Sequence, residues 1–578
     1  MVGVQNKAER LKTKGQGLKK KNYLKILVFL IVLILINVLA QYFYTRFDFT
    51  KEKRYTLNQK SKEILTKTEK DITITVFLDG EIPAAFKRLR NATKDLLNDY
   101  KAYSSANVKI IFEDPLAGVI ASEQDTIIKN LGEIGIRPVA VNIKNDAGLT
   151  QKIIFPMALI EIDGKPMAVN LLQKTGGPAT DYETNITSSI QTLEYSFTSA
   201  IKRLEKGYSP KIGFTEGHGE SSNPQFYDAI NNTLSQNFYV GWVDLKIIKK
   251  QGLDDLDVIF IAKPKTALTE LEKYKINYFV MKGGKLVWSI DQVTASLDSL
   301  QKKPQMMAFN NQLNIDDMLF EYGARINYNL ITDVNCASIP IATNNPGQQA
   351  QIDLAPWIYY PILAPDTTNA IVKNIDGIRA EFASTVDIID VPNVTKKVIL
   401  QTSPYNKVFE TPKMLSLQML AQEPKQEEYT STPKTAGILL EGNFKSVFLN
   451  RPIPEGITEN YNVPSISKPT KMIVIGDGDI FTNQYSSTDN SVFPLGLDRY
   501  TQQNYGNKAL LLNIADYFTD DNNLIALRNK EIKVRLLDKA RLRTEKLKWQ
   551  VINSIVPLVL LICFAIFQHY YRKHKYAK

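Results

Sequence analysis

The sequence predicts an α/β protein, with two external α/β domains set between two terminal transmembrane helices. Three observations predict it. Long uncharged apolar runs stand near both ends, at Ile26–Thr45 and Trp549–Gln568. Between them, short apolar strand patterns alternate with stretches of helical periodicity. Several strand patterns, such as Val258-Ile-Phe-Ile261, are apolar at every position, which marks strands buried on both faces of a largely parallel sheet.

Each terminal run is about twenty residues, enough to cross roughly 30 Å of hydrocarbon as a helix. Lys25 and Arg46 bracket the first; Lys548 precedes the second, and Tyr570, Tyr571 and Arg572 follow it. The first is too long for a signal peptide and lacks a small-residue cleavage site. Pro557 is expected to kink the second.

The net charge of +11 resembles a nucleic-acid signal until it is located. Residues 1–54 carry twelve Lys/Arg against three Asp/Glu, and residues 528–578 carry thirteen against three, which leaves the body between them at −8. The basic charge therefore belongs to the membrane flanks, and no nucleic-acid partner is expected. Eight Lys/Arg before the first run favour cytoplasmic termini and an external body, in the cytoplasmic (inner) membrane. The nine Lys/Arg between Arg528 and Lys548 argue the other way.

The expected organisation is a basic tail at 1–25, a transmembrane helix at 26–45, a thioredoxin-like domain at 55–175 and a connecting helix at 180–207. A Rossmann-like domain at 208–525 follows, then a basic juxtamembrane helix at 526–548, a transmembrane helix at 549–571 and a tail at 572–578. The first domain rests on a βαβαβββ order. A helix at Asn58–Thr68 leads to a strand from Asp71 and a helix with Phe86, Leu89, Leu96 and Tyr100 on one face. A strand at Val108–Phe112, a helix near Ser122–Leu131, and strands at Val139–Ile143, Gln151–Ile162 and Met167–Leu172 complete it. Apolar residues spaced by three or four from Ile186 to Leu204 make the connecting helix.

The second domain opens at Lys211–Glu220, Lys-Ile-Gly-Phe-Thr-Glu-Gly-His-Gly-Glu: a strand running into a glycine turn, before a helix expected at Asn223–Gln236. A strand at Asp257–Ala262, a helix at Glu270–Met281, a strand at Lys285–Ile290 and a buried strand at Lys471–Gly476 continue the rhythm. Pro340–Pro365 reads as an excursion from the fold, and Ile438–Leu449 as a strand pair. Asn507–Phe518 is the closing helix.

Polar residues stand at four strand ends: Glu216–Glu220, Lys263–Lys265, Asp291 and Asp477–Asn483. In a parallel sheet these share the edge where open α/β folds bind ligands. Candidate ligand- or partner-binding residues are Glu216, His218, Glu220, Asp477, Asp479 and Asn483. The first three make either a binding turn or a tight turn satisfying its own backbone. The neighbourhood of His218 offers no obvious nucleophile beyond Thr215 or Ser221. Two aspartates fall short of a calcium ligand set, and two cysteines, Cys336 and Cys563, exclude zinc clusters and disulfide frameworks. No Walker loop is present, since Gly284-Lys285 is followed by leucine. No metal, cofactor or catalytic residue is expected.

Ile212-Gly-Phe-Thr-Glu-Gly-His-Gly-Glu220, Val474-Ile-Gly-Asp-Gly-Asp-Ile-Phe-Thr-Asn483 and the Asn507–Phe518 helix, between two spans, resemble the GldG family, gliding-motility-associated auxiliary (substrate-binding-like) components of an ABC transporter in Bacteroidetes. The resemblance implies an ABC permease subunit and a separate ATPase subunit as partners, and a non-enzymatic role in gliding and its secretion machinery. The central domain also resembles one shared with an intraflagellar-transport protein and, more distantly, glutamine-amidotransferase-like and flavodoxin-like folds. The amidotransferases need a cysteine at a strand-to-helix elbow, where this chain has none. Two alternatives stay open: a carbohydrate or cell-wall-binding module presenting Trp288, Tyr359 and Tyr360, and a hydrolase using His218 with Glu216 or Glu220.

Overall fold

The computed structural model describes residues 28–33, 35, 56–145, 148–172, 182–207, 209–220, 223–235, 237–303, 305–343, 351–366, 368–373, 375–421, 426–486, 488–520, 524, 527 and 539–576. The chain divides into two compact units, Met1–Lys530 and Glu531–Lys578. The basic tail at 1–25, most of the first apolar run and most of the basic stretch at 526–548 lie outside the described residues. Within the first run, residues 28–33 and 35 are helical and exposed.

The N-terminal region runs α1 (Gln59–Lys67), β1 (Ile72–Val76), α2 (Ala84–Tyr103), β2 (Val108–Phe112), α3 (Ala121–Glu133), β3 (Val139–Asn145), β4 (Gly148–Ile154), β5 (Met157–Ile162) and β6 (Lys165–Asn170), with β3 and β4 paired in a two-stranded ribbon apart from the first sheet. Asn58 caps α1 by accepting the Lys60 N–H at 3.0 Å. Strand order is β2-β1-β5-β6; β1 and β2 are parallel, and β5 runs antiparallel to both neighbours. The single strand expected at Gln151–Ile162 is broken at Phe155-Pro156. Proline supplies no N–H to a ladder, and the two halves serve different partners: β4 pairs with β3, β5 with β1.

Helix α4 (Tyr182–Lys206) binds this sheet to the next. Its Ile186, Leu193, Phe197 and Ile201 enter the first core beside Phe86, Leu89 and Leu97. Its last turn reaches the helix Asn507–Thr519 and the Asp520 that caps it through Arg203–Asp516 and Lys202–Asp520, both at 3.1 Å and well buried.

The large sheet contains β7 (Lys211–Glu216), β8 (Tyr239–Asp244), β9 (Val258–Ala262), β10 (Lys285–Ser289), β11 (Cys336–Thr343), β12 (Gln351–Pro365), β13 (Val394–Gln401), β14 (Thr435–Gly442) and β15 (Thr470–Ile475). Its order is β11-β12-β13-β14-β15-β10-β9-β7-β8, with the short strand Ile378–Arg379 paired to β12. Only β15-β10-β9-β7-β8 is parallel; every pair from β11 to β15 is antiparallel. "Largely parallel" is therefore corrected to a half-parallel, mixed sheet. Parallel neighbours need crossovers, supplied by α5 (Asn223–Tyr227) with the π-helix Asp228–Leu234 that extends it, and by α6 (Glu270–Met281).

Pro340–Pro365 is the edge hairpin β11–β12, not an excursion. Pro340 is tolerated because β11 ends the sheet, and Pro361 stands where the pairing shifts register between Cys336 and Ser338. Ile438–Leu449 contributes the end of one strand, β14, and a bridge at Lys445, not a strand pair. The helix expected to Gln236 is α-helical for five residues and then widens to π geometry.

Alternation along β9 divides the core. Val258, Phe260 and Ala262 face the layer of α5 and α7 (Asn507–Thr519), while Ile259 and Ile261 face α6. In the second unit, α8 (Lys539–Tyr576) continues through Pro557 without a break, and Lys548–Lys575 is long and apolar enough to cross a membrane, its most apolar 18-residue window having a mean hydropathy of 2.4.

Candidate functional site

The carboxyl ends of β7, β9, β10 and β15 lie on one edge because these strands are parallel and in register. The connection from β7 leads outward to β8, and that from β9 leads the other way to β10. The switch point therefore falls between β7 and β9, where such folds open a crevice. Here the turn after β7 meets the loop after β9: the His218 carbonyl accepts N–H bonds from Lys265 at 2.8 Å and Thr266 at 3.0 Å.

His218 does not face solvent; it is 2 % exposed. Gly217 and Gly219 take φ of +102° and +72°, which lets the turn fold the imidazole inward. Nδ1 contacts Glu220 Oε1 at 3.3 Å, and Nε2 lies 3.0 Å from Glu272 Oε1. The His218 N–H also donates to Glu220 Oε2 at 2.6 Å. Glu272 closes the capping box of α6, accepting the Thr269 N–H and hydroxyl at 2.7 Å each. The Glu220 hydrogen bond, aided by Glu272, outweighs burial and holds the His218 pKa above its ordinary 6.5. Burial pushes both glutamates up, but hydrogen bonds from His218 and, for Glu272, from Thr269 bring them below the usual carboxylate value.

The second assembly is a charged crevice at the ends of β9, β10 and β15. Lys263, in a left-handed conformation with φ +55°, pairs with Asp479 and lies 3.6 Å from Asp291. Asp477 is fully buried and accepts N–H bonds from Asp479 at 2.6 Å and Glu381 at 2.8 Å. Asp291 accepts the Gly478 N–H at 2.6 Å, and a Cβ on Gly478 would lie 2.9 Å from that carboxylate. Arg379 pairs with Glu381 at 2.9 Å and stacks on Tyr360. A shallow pocket opens beside them, lined by Arg379, Glu381, Asp479, Thr482, Gln484 and Asn507.

Four carboxylates share two cations here. Burial lifts Asp291 to about 6 against the pull of Lys263, and burial with the neighbouring Asp479 and Asp291 charges pushes Asp477 well above the usual range; burial also raises Glu381, against Arg379. Burial opposes the charge on Lys263, but Asp479 and Asp291 overrule it and raise its pKa. The crevice can exchange protons near neutral pH and offers acceptor oxygens to a donor-rich ligand. Asp291, Asp477 and Asp479 have carboxylate oxygens within 4.8 Å of one another, but the Lys263 ammonium already supplies a cation's charge there.

Of the residues singled out in the sequence, Asp477 and Asp479 enter this crevice, and His218 and Glu220 form a separate buried triad with Glu272. Glu216 ends β7 and is exposed. Asn483 is a tether: it accepts the Asp228 N–H at 3.0 Å and donates to the Pro224 carbonyl at 2.8 Å. Thr215 is buried, and Ser221 lies outside the described residues. Trp288, Tyr359 and Tyr360, offered as a sugar platform, are 0 %, 1 % and 2 % exposed and present no face to a ligand. Glu272, Arg379 and Glu381 escaped notice in the sequence. Thr269-x-x-Glu272 was legible as a capping box, but not its contact with a histidine 54 positions away.

The profile of the ABC-type uncharacterized transport system family matches residues 209–514. The chain belongs to this family. The match covers the large sheet and both polar assemblies, and supports a transporter-associated auxiliary role. A domain of unknown function matches residues 51–161. An uncharacterized protein of Borreliella burgdorferi is 20% identical over 560 residues, spanning 94% of this chain and 96% of its own. The solved mmIFT52 N-terminal domain is 13% identical with a TM-score of 0.30, over 54% of this chain and 98% of its own.

Proposed function

We propose that this protein is a membrane-anchored, non-ATPase auxiliary subunit of an ABC transport system, working with a multi-span permease and a separate ATPase subunit. The observation that carries the reading is the family match over 209–514 in a chain that ends in an apolar helix of membrane-spanning length. The first apolar run, Ile26–Thr45, is a second span. Both termini are cytoplasmic, and the body is external in two α/β domains, 55–175 and 208–525; the β2-β1-β5-β6 order supports a thioredoxin-like first domain.

The role is non-enzymatic. His218 has both ring nitrogens against glutamates, and Thr215 is buried beneath the turn. The strand-end crevice with Asp477 and Asp479 is the ligand- or partner-binding feature. The process served is gliding motility, on the resemblance of the Ile212–Glu220 and Val474–Asn483 motifs. Affinity purification of the intact protein from native membranes tests the proposal. A permease and an ATPase subunit should co-purify; their absence, or wild-type gliding in a strain lacking the protein, would remove the corresponding part of the reading.

A further inference from the structure

We propose that His218 is a proton-dependent latch, fastening the turn after β7 to the start of α6 and, through its carbonyl, setting the loop that delivers Lys263 to the carboxylate crevice. The argument is geometric. Two carboxylates close on one buried imidazole, Glu220 at Nδ1 and Glu272 at Nε2, at 3.3 and 3.0 Å. The Nε2–Glu272 approach is a charge contact without hydrogen-bond alignment, and a ring carrying both N–H groups, and with them a positive charge, suits both carboxylates. With one proton lost to solvent, a nitrogen lone pair faces a carboxylate, and attraction becomes repulsion.

The consequence reaches the crevice along the backbone. The Lys265 and Thr266 N–H groups end on the His218 carbonyl, and Lys263 stands two residues before them. The charged groups around the turn include Lys275 of α6, which donates to the Leu245 and Lys246 carbonyls and interacts with Glu272 and Asp244. Glu220 lies on the turn itself and Glu272 on α6; Lys265 packs against Gly219, and Asp244 of β8 lies near Gly217. The upward shift of His218 comes first from Glu220 and, against burial, from Glu272. Because the folded pKa is raised, the latch is fully closed below about 6.5, the ordinary value, and is lost as pH rises through the folded value.

The latch concerns the same sheet edge as the proposed function, but its test uses purified protein and needs no transporter partner. Hydrogen exchange of the intact protein in detergent, read by mass spectrometry between about pH 5.5 and pH 9 and corrected for intrinsic rates, reports on the Lys265 and Thr266 amides. Wild type should lose protection there as pH rises. Glu272→Gln, which retains a capping side chain, should move that loss to lower pH. His218→Gln should show no pH-dependent loss at these amides. Protection independent of pH in wild type, or the same pH step in His218→Gln, would overturn the latch. Should His218→Gln fail to fold, an unmoved step in Glu272→Gln overturns it alone.

Discussion

Replacing Lys263 by methionine keeps the aliphatic stem and deletes the ammonium that Asp479 and Asp291 share. Removing one member of a buried ion pair costs about 3–5 kcal/mol, because the partner charge is left uncompensated. The Lys263 side chain is 19% exposed, so the lower end applies, about 3 kcal/mol at pH 8. The carboxylates have an escape, which is to take up a proton. Asp291 already titrates at about 6 with Lys263 present, against an ordinary 3.8. An acid whose folded pKa exceeds its unfolded value binds protons more tightly when folded, so it gains stability as pH falls through that window. Without Lys263 the folded pKa rises further. Between that value and about 6 only the variant holds the extra proton, and its deficit shrinks by up to about 1.4 kcal/mol per pH unit. The deficit should therefore fall to about 1 kcal/mol near pH 6 and change little below. Urea unfolding followed by tryptophan fluorescence at pH 8 and pH 6 measures both values. A variant as stable as wild type at pH 8, or equally impaired at both pH values, would refute the account of the crevice.

Two glycines of the large sheet should respond oppositely to alanine. A Cβ on Gly476 would lie 2.3 Å from the Ser384 carbonyl oxygen, and the Ser384 N–H donates back to Gly476 at 2.6 Å, so main chain would have to move. Gly476→Ala should cost about 2–3 kcal/mol. Gly241 in β8 has open space around its Cβ position, so Gly241→Ala should be neutral or stabilising by up to about 1 kcal/mol. Similar melting temperatures for the two variants would contradict this. Fractionation tests the anchors: a chain ending before Lys548 should stay with membranes through Ile26–Thr45, and deleting both runs should release it. Release by the first truncation alone would deny the first run a spanning role.

Local periodicity carried much of this protein in its sequence. Val258–Ala262 is apolar at every position, and the structure buries every one; Thr269 and Glu272 flank the start of α6, and there they form its cap. These features were legible because each depends on residues a few positions apart. The sequence also placed four polar groups at strand ends. It could not say which would meet. His218 turned inward because Glu272, on another element, offered a second carboxylate, and Asp479 is paired because Lys263 reaches it across the sheet edge.

The antiparallel half of the sheet was hidden for the same reason. Proline-rich 340–365 reads as irregular until its neighbour strands and open edge are known, and Tyr359 and Tyr360 look available until that hairpin buries them. The type of the strongly periodic elements, membrane-length apolar segments and the acidity of the body were determined by the sequence alone, since composition and short-range spacing suffice for them. Strand direction, the separation of His218 from the aspartate crevice and the burial of every aromatic candidate were decided only by tertiary structure, because each depends on partners tens to hundreds of residues away.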